Sequence, residues 1–264
     1  MISFRKIAVL FASVSFILAA TIGPKSTMAA EKKQTANVLL VTGIDHPAHN
    51  WRQTAPALAA VLRKDPRMQV RVVEDPHFLD SSALRRYDVV VLHFMSWERP
   101  TPGAKARANL REFVRGGKGL FVVHFGCGAF RDWPEFLNLA GRVWDPKKRA
   151  HDPYGRFRVD VTDVDHPITR GMQAFETDDE LYTCLAGDRP VDVLATARSK
   201  VDGKVYPMAF VLNYGKGRVF HNALGHDVKA ITNPKAAELF RRGCAWAAGL
   251  AAVPSSEEQT ATKK

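Results

Sequence analysis

The stretch 119–130, GLFVVHFGCGAF, constrains this chain more than any other. Gly119–Val123 is short and apolar without interruption, the pattern of a strand buried on both faces in the middle of a parallel sheet. The run stops at His124, and Gly126 and Gly128 follow before a helical pattern opens near Ala129. Glycines at such a junction permit a sharp turn and let a ligand approach the backbone. Open α/β sheets bind ligands beyond the carboxyl ends of their strands, so His124 and Cys127 stand where such a fold keeps its chemistry. The same two residues also read as a hydrogen-bonded core histidine and a small buried hydrophobe. The rest of the chain must decide between these readings.

Residues 37–43, 68–74 and 87–92 read as further strands, and 51–64, 102–115 and 133–139 as helices. This alternation predicts a parallel sheet with helices on both faces. Right-handed crossovers then bring the strands' carboxyl ends to one edge. His46, His49, His77, His93 and His124, five of the nine histidines, each lie at or just past one of those strand ends. A histidine-lined pocket on that rim is the expectation. Asn50 reads as the N-cap of the helix opening at Trp51. Further on, 155–162, 191–197, 206–213 and 218–223 read as strands, the last leading into Leu224-Gly225-His226-Asp227. Residues 176–182 cluster acids ahead of Leu181 and Tyr182, and a helix over 234–248 opens on Pro234, where a missing N–H costs nothing.

The chain begins with Arg5 and Lys6, an apolar run over 7–20 and a small-residue stretch ending Met28-Ala29-Ala30. That is the pattern of a secretory signal over 1–30, cut after Ala29 or Ala30, which places the mature protein in the periplasm or outside the cell. A linker over 31–36, one domain over 37–250 and a polar, disordered tail over 251–264 complete the expected organisation. No later apolar run is long enough to span a bilayer. Of 38 basic residues three lie in the leader, which leaves 35 against 27 acidic residues, a net charge of +8. The excess is dispersed and not interleaved with aromatics, which argues against nucleic acid as a partner. Cys244 falls on an apolar helical stripe with Leu239 and Phe240. Cys127 and Cys184 fall in loop-like stretches, and their pairing in an oxidising compartment stays open.

Several stretches together resemble the ThuA-like (trehalose utilisation) family. They are the first strand with its His46-x-x-His49-Asn50-Trp51 loop, the strand ending at His124, His166-Pro167-Ile168 with Gly171, Asp179-Glu180-Leu181-Tyr182, Tyr214-Gly215-Lys216-Gly217-Arg218-Val219-Phe220, and Gly225-His226-Asp227. The resemblance covers about residues 37–249. It implies a class I glutamine amidotransferase-like fold, that is, a flavodoxin-like α/β/α sandwich of three layers around a mainly parallel sheet. It also implies a role in metabolism of keto-sugars or disaccharides. At the position of the amidotransferases' cysteine nucleophile this chain has His124, and imidazole cannot form the thioester that glutaminase chemistry requires. Cys127, three residues on, would need an imidazole such as His226 to lower its pKa.

Three functions remain open on the sequence. The first is a carbohydrate enzyme, an isomerase, epimerase, lyase or hydrolase, in which His124 and His226 supply acid/base groups near neutrality, with Glu180 or Asp227 orienting them. There His46, His49, Asn50, His93 and Cys127 line the substrate, and Trp51 or Trp97 stacks a sugar ring. The second is a metal-dependent hydrolase, since imidazoles with Glu180 or Asp227 suit zinc or another first-row divalent ion. The third is a non-catalytic carbohydrate-binding domain. A small-molecule carbohydrate is the expected partner, and self-association is compatible with each reading.

Overall fold

The apolar runs form four parallel strands, β1 (Ala36–Val41), β2 (Met68–Val73), β3 (Val89–Leu92) and β4 (Gly119–Val123). The computed structural model describes residues 33–96, 100 and 102–251. The expected leader, Trp97 and residues 252–264 of the expected tail lie outside the described residues. Helix α1 (Trp51–Arg63) connects β1 to β2, α2 (Ala104–Arg115) connects β3 to β4, and α3 (Glu135–Ala140) follows β4. Between β2 and β3 the chain makes two 3-10 turns, Pro76–Asp80 and Ser82–Arg86, in place of an α-helix. Asp75 and Ser81 each accept a hydrogen bond from the backbone two residues on, a local alternative to helical bonding.

The second half adds β5 (Val143–Trp144), β6 (Gly155–Val161), β7 (Phe175–Asp179), β8 (Leu185–Ala186), β9 (Asp192–Arg198), β10 (Val205–Tyr214) and β11 (Gly217–Asn222). Helices α4 (Val228–Thr232) and α5 (Pro234–Ala247) close the domain. Among the described residues the main sheet has nine strands in the order β2-β1-β3-β4-β11-β10-β9-β6-β7. It is parallel from β2 to β11, as the spacing predicts, and antiparallel from β10 onward, so the whole is a mixed α/β sheet. Strand β7 was legible only as an acid cluster, because it lies at the sheet's edge and turns Thr177 and Asp179 inward beside Phe175.

Strand alternation sorts the core into two layers. Val38, Leu40, Val89, Val91, Phe121 and Phe220 belong to one cluster with Leu58, Leu62, Leu239 and Phe240 of α1 and α5. Leu39, Val41, Val90, Leu92, Leu120 and Val219 belong to the other, with Leu110 and Phe113 of α2 and Phe136 of α3. Burial on both faces explains the uninterrupted apolar runs, and each fully buried Leu or Phe contributes about 1.5–3 kcal/mol.

The antiparallel half does not lie flat. Four strand spacings would put β7 roughly 19 Å from β11. Yet Asp179, the last residue of β7, accepts a hydrogen bond from Gly225 N, just past β11, at 2.7 Å. The sheet therefore curls, and register shifts in β10 between Pro207 and Phe210 supply a bulge, which strengthens local twist. Curling brings the carboxyl end of β7 to the same rim as those of β1, β3, β4 and β11.

Helix α5 meets β11 so closely that a Cβ on Gly243 would stand 2.0 Å from the Phe220 ring. Gly243→Ala should therefore cost about 1–3 kcal/mol through overpacking, read from the urea midpoint at unchanged slope.

Candidate functional site

The rim collects side chains from five places. His49 comes from the loop after β1, His124 from the end of β4, Glu180 from the end of β7, His226 from the loop after β11, and His151 from the loop before β6. His124 is the one non-glycine residue with positive φ among those described, at 45°. Such a conformation costs on the order of 1–3 kcal/mol and persists only where surrounding structure fixes it. Gly126 is needed two residues later, because any Cβ there would meet the Leu92 carbonyl oxygen at 2.3 Å. The residues 124–128 thus form a tight 3-10 turn, where the sequence pointed to a sharp bend.

The elbow aims the imidazole. His124 Nδ1 lies 2.7 Å from the Ala223 carbonyl oxygen. A carbonyl only accepts, so Nδ1 carries the proton and Nε2 of the neutral ring is a lone pair. That lone pair faces Glu180 Oε2 at 3.4 Å, and His226 Nδ1 faces the same oxygen at 3.1 Å. His49, His124, Glu180 and His226 each offer one ligand atom, and these atoms all lie within 4.8 Å of one another. His49 Nδ1, His124 Nε2 and His226 Nδ1 are buried without hydrogen-bond partners. Three buried imidazole nitrogens without a hydrogen bond, crowded around one carboxylate, are costly unless something fills the space between them.

Electrostatics follow from this crowding. Burial works against the Glu180 charge, but the neighbouring His124 and His226 rings, in their protonated forms, outweigh it and hold the carboxyl well below its ordinary range. Burial pulls His226 down, while Glu180 raises it further, so its net shift is upward. His49 is pushed down to about 2, chiefly by burial and then by His124 and His46.

Asp179 sets the geometry of both halves. Its carboxylate accepts from Glu180 N at 2.8 Å, Gly225 N at 2.7 Å and His226 N at 3.1 Å. One buried acid therefore fixes where Glu180 and His226 start. The sequence reading gave Asp179 no role. It also missed His151, whose Nε2 lies 3.3 Å from Glu180 Oε1 and whose Nδ1 bonds the Asp152 carbonyl at 2.6 Å. No strand end marks His151 in the sequence; an isolated bridge to Tyr182 holds it.

The other expected site residues fall around this group. His46 packs on His49 with ring centroids 4.7 Å apart, and both line a cleft of about 460 Å³ along residues 45–52. Asn50 is exposed on that cleft, but its side chain caps nothing, and its carbonyl instead takes Thr54 Oγ1. Trp51 is buried, with its indole N–H on Asp45 and the Arg52 guanidinium over its ring. His93 is fully buried, bonded to Thr42 and packed on Phe125. His77 turns to solvent beside Asp75. Asp227 is spent on structure: Oδ1 caps α4 at Ala230 N, and Oδ2 accepts from Tyr154. Cys127 and Cys184 are free, buried thiols; burial pushes both up, Cys184 to about 12, which removes thiolate chemistry at neutral pH.

The family model described as ThuA, trehalose utilisation, matches residues 37–247. The chain belongs to the ThuA family. A ThuA-like protein from Parabacteroides merdae superposes with a TM-score of 0.71 at 25% identity, over 84% of this chain and 94% of that one. A ThuA-like protein from Bacteroides uniformis gives 0.65 at 18% identity, over 83% and 93%. A β-galactosidase from Bacillus circulans gives 0.53 at 15% identity, over 83% of this chain but 32% of that one, a likeness of fold alone. Among curated proteins none matches the sequence. ThuA membership links the chain to carbohydrate metabolism, and no helix among the described residues is long and apolar enough to cross a membrane.

Removing the Asp179 carboxylate strands three backbone N–H groups. Asp179→Ala should therefore cost at least about 2 kcal/mol in chemical denaturation. Asp179→Asn, which keeps one oxygen acceptor, should cost less. A second expectation concerns pH. Burial pushes His93 to about 3 and His221 to about 4. Both folded values lie below the unfolded one, so each group's stabilising effect is present above about pH 6.5 and is lost as acid protonates the unfolded chain first. Denaturation curves should show at most about 2 kcal/mol lost per buried imidazole between pH 6.5 and 5.

Proposed function

We propose that this ThuA-family chain is an exported enzyme of carbohydrate metabolism whose centre is a divalent first-row metal ion held by His49, His124, His226 and Glu180, acting on a keto-sugar or glycoside. The convergence of three unpartnered imidazole nitrogens on one carboxylate carries this reading. Imidazole and carboxylate donors suit zinc and its neighbours. The His124 Nδ1–H bond to a backbone carbonyl is the outer support that fixes a ligating tautomer. A bound ion would supply Lewis-acid polarisation of a sugar carbonyl or hydroxyl oxygen. The chain's own part is to hold that oxygen's neighbourhood: Glu180 and His226 stay fixed through Asp179, His46 offers an imidazole at the cleft, and His151 sits on the second Glu180 oxygen. The fold reading that accompanies this is flavodoxin-like, since the parallel half runs β2-β1-β3-β4-β11 and the 45–52 cleft lies in the loop after β1, beside the switch point between β1 and β3.

A second reading keeps the enzyme and drops the ion. The opposite shifts of Glu180 and His226, 3.1 Å apart, suit direct acid/base transfer beside a keto-sugar carbonyl. Elemental analysis of protein purified without a histidine tag separates the two. One equivalent of zinc, manganese, iron or cobalt is expected, and an apo protein that still turns over 3-keto-glycosides, or exchanges their protons in deuterated water, would sink the metal reading. His124→Ala and Glu180→Gln should weaken zinc binding by more than the about 10–100-fold that losing a supporting partner costs. Affinity should also fall with acid, because protons compete for the imidazoles.

A further inference from the structure

Tyr154 stands apart from every other ring at this rim. It is 43% exposed and is the one aromatic among the exposed large hydrophobic side chains of the described residues. Its hydroxyl nevertheless does not wander: it donates to Asp227 Oδ2 at 2.8 Å, and Asp227 is itself locked by capping α4. The ring lies 5.6 Å from that of His226, tilted by 56°. His46, His49, His226 and Tyr154 thus form a row of rings, with successive centroids 4.7, 5.0 and 5.6 Å apart.

The backbone behind Tyr154 is equally fixed. Asp152 N bonds Leu181 O and Thr183 N bonds Ala150 O, tying this loop to the segment that carries Glu180. The Asp152 carboxylate takes bonds from Arg149, Ser199 and Lys200 N. An aromatic ring held in one orientation yet left in water gains little by burial. Such a ring is pre-organised for a ligand that has an apolar face and hydroxyl edges, at low entropic cost. A sugar ring has both. The phenolic oxygen, donating to Asp227, keeps a lone pair to accept from a sugar hydroxyl.

The tryptophans offered for this role by the sequence do not supply it. Trp51 is 6% exposed, and the Arg52 guanidinium sits 4.4 Å from its ring centre. Trp97 lies outside the described residues.

We propose that Tyr154 is the sugar-stacking platform of this site, receiving the C–H face of a pyranose ring beside His226, with Asp227 as the residue that positions it. The proposal rests on the carbohydrate reading above and names the contact that recognises the ring.

The test is a titration of the intact mature protein with trehalose, methyl α-glucopyranoside and a 3-keto-glucoside, followed by NMR of the sugar. Stacking moves the sugar's C–H resonances upfield through the ring current. Tyr154→Ala should abolish that shift and weaken binding about tenfold or more, the scale of one lost aromatic contact. Tyr154→Trp should keep both. Tyr154→Phe should keep the shift with a smaller loss, since it frees the ring from Asp227. All three should melt with the wild type and carry the same zinc content. If the wild type binds a sugar and Tyr154→Ala binds it equally with the same shift, the platform is wrong and the carbohydrate reading stands. If the wild type binds none of the three, both fall together.

Discussion

A single buried carboxylate, Asp179, is what the site depends on. It joins the end of an edge strand to the loop after a central one, across a sheet that must curl for the two to meet. Its own burial pushes its pKa up, and three backbone N–H donors work against that shift. Glu180 is the next residue in sequence, and His226 donates its own backbone N–H to the same carboxylate. The same bonds that close the fold therefore bring the acid and imidazole of the site within 3.1 Å.

The His124 elbow is the second fixed point. A left-handed non-glycine backbone and a carbonyl bond to one ring nitrogen leave the other nitrogen free and aimed at Glu180. Evolution of a purely structural core would remove such strain and such unpaired nitrogens, because each costs stability. Their concentration at one rim is the observation on which the proposed metal site rests. In the same place, Asp227 and Tyr154 show the opposite economy: the Tyr154 hydroxyl donates to Asp227, which also caps a helix start, and the pair presents a rigid edge to solvent.

Much of the architecture was legible because burial on both faces leaves a plain record in apolar runs such as Gly119–Val123. The histidines at His49, His124 and His226 were legible for a related reason, since strand ends are marked by where those runs stop. Elsewhere one letter carries a structural role that the sequence does not show. Asp227 follows a histidine just as a catalytic acid would, yet its oxygens are consumed by Ala230 N and Tyr154. His93 ends a strand like His124, but it bonds Thr42, packs on Phe125 and is not among the ligand atoms gathered at Glu180. Strand β7 hid behind its acids because its inward face is itself polar.

The sequence by itself determined the parallel half of the sheet, the sharp bend at His124 and the rim on which histidines collect, since each follows from local hydrophobic pattern and backbone freedom. Tertiary structure alone decided which of them meet. His151 and Tyr154 come from a loop with no periodic signal, and Glu180 reaches the rim only because the antiparallel strands curl. Distances between residues a hundred positions apart are set by sheet curvature and long-range hydrogen bonds, and neither leaves a local trace in the chain.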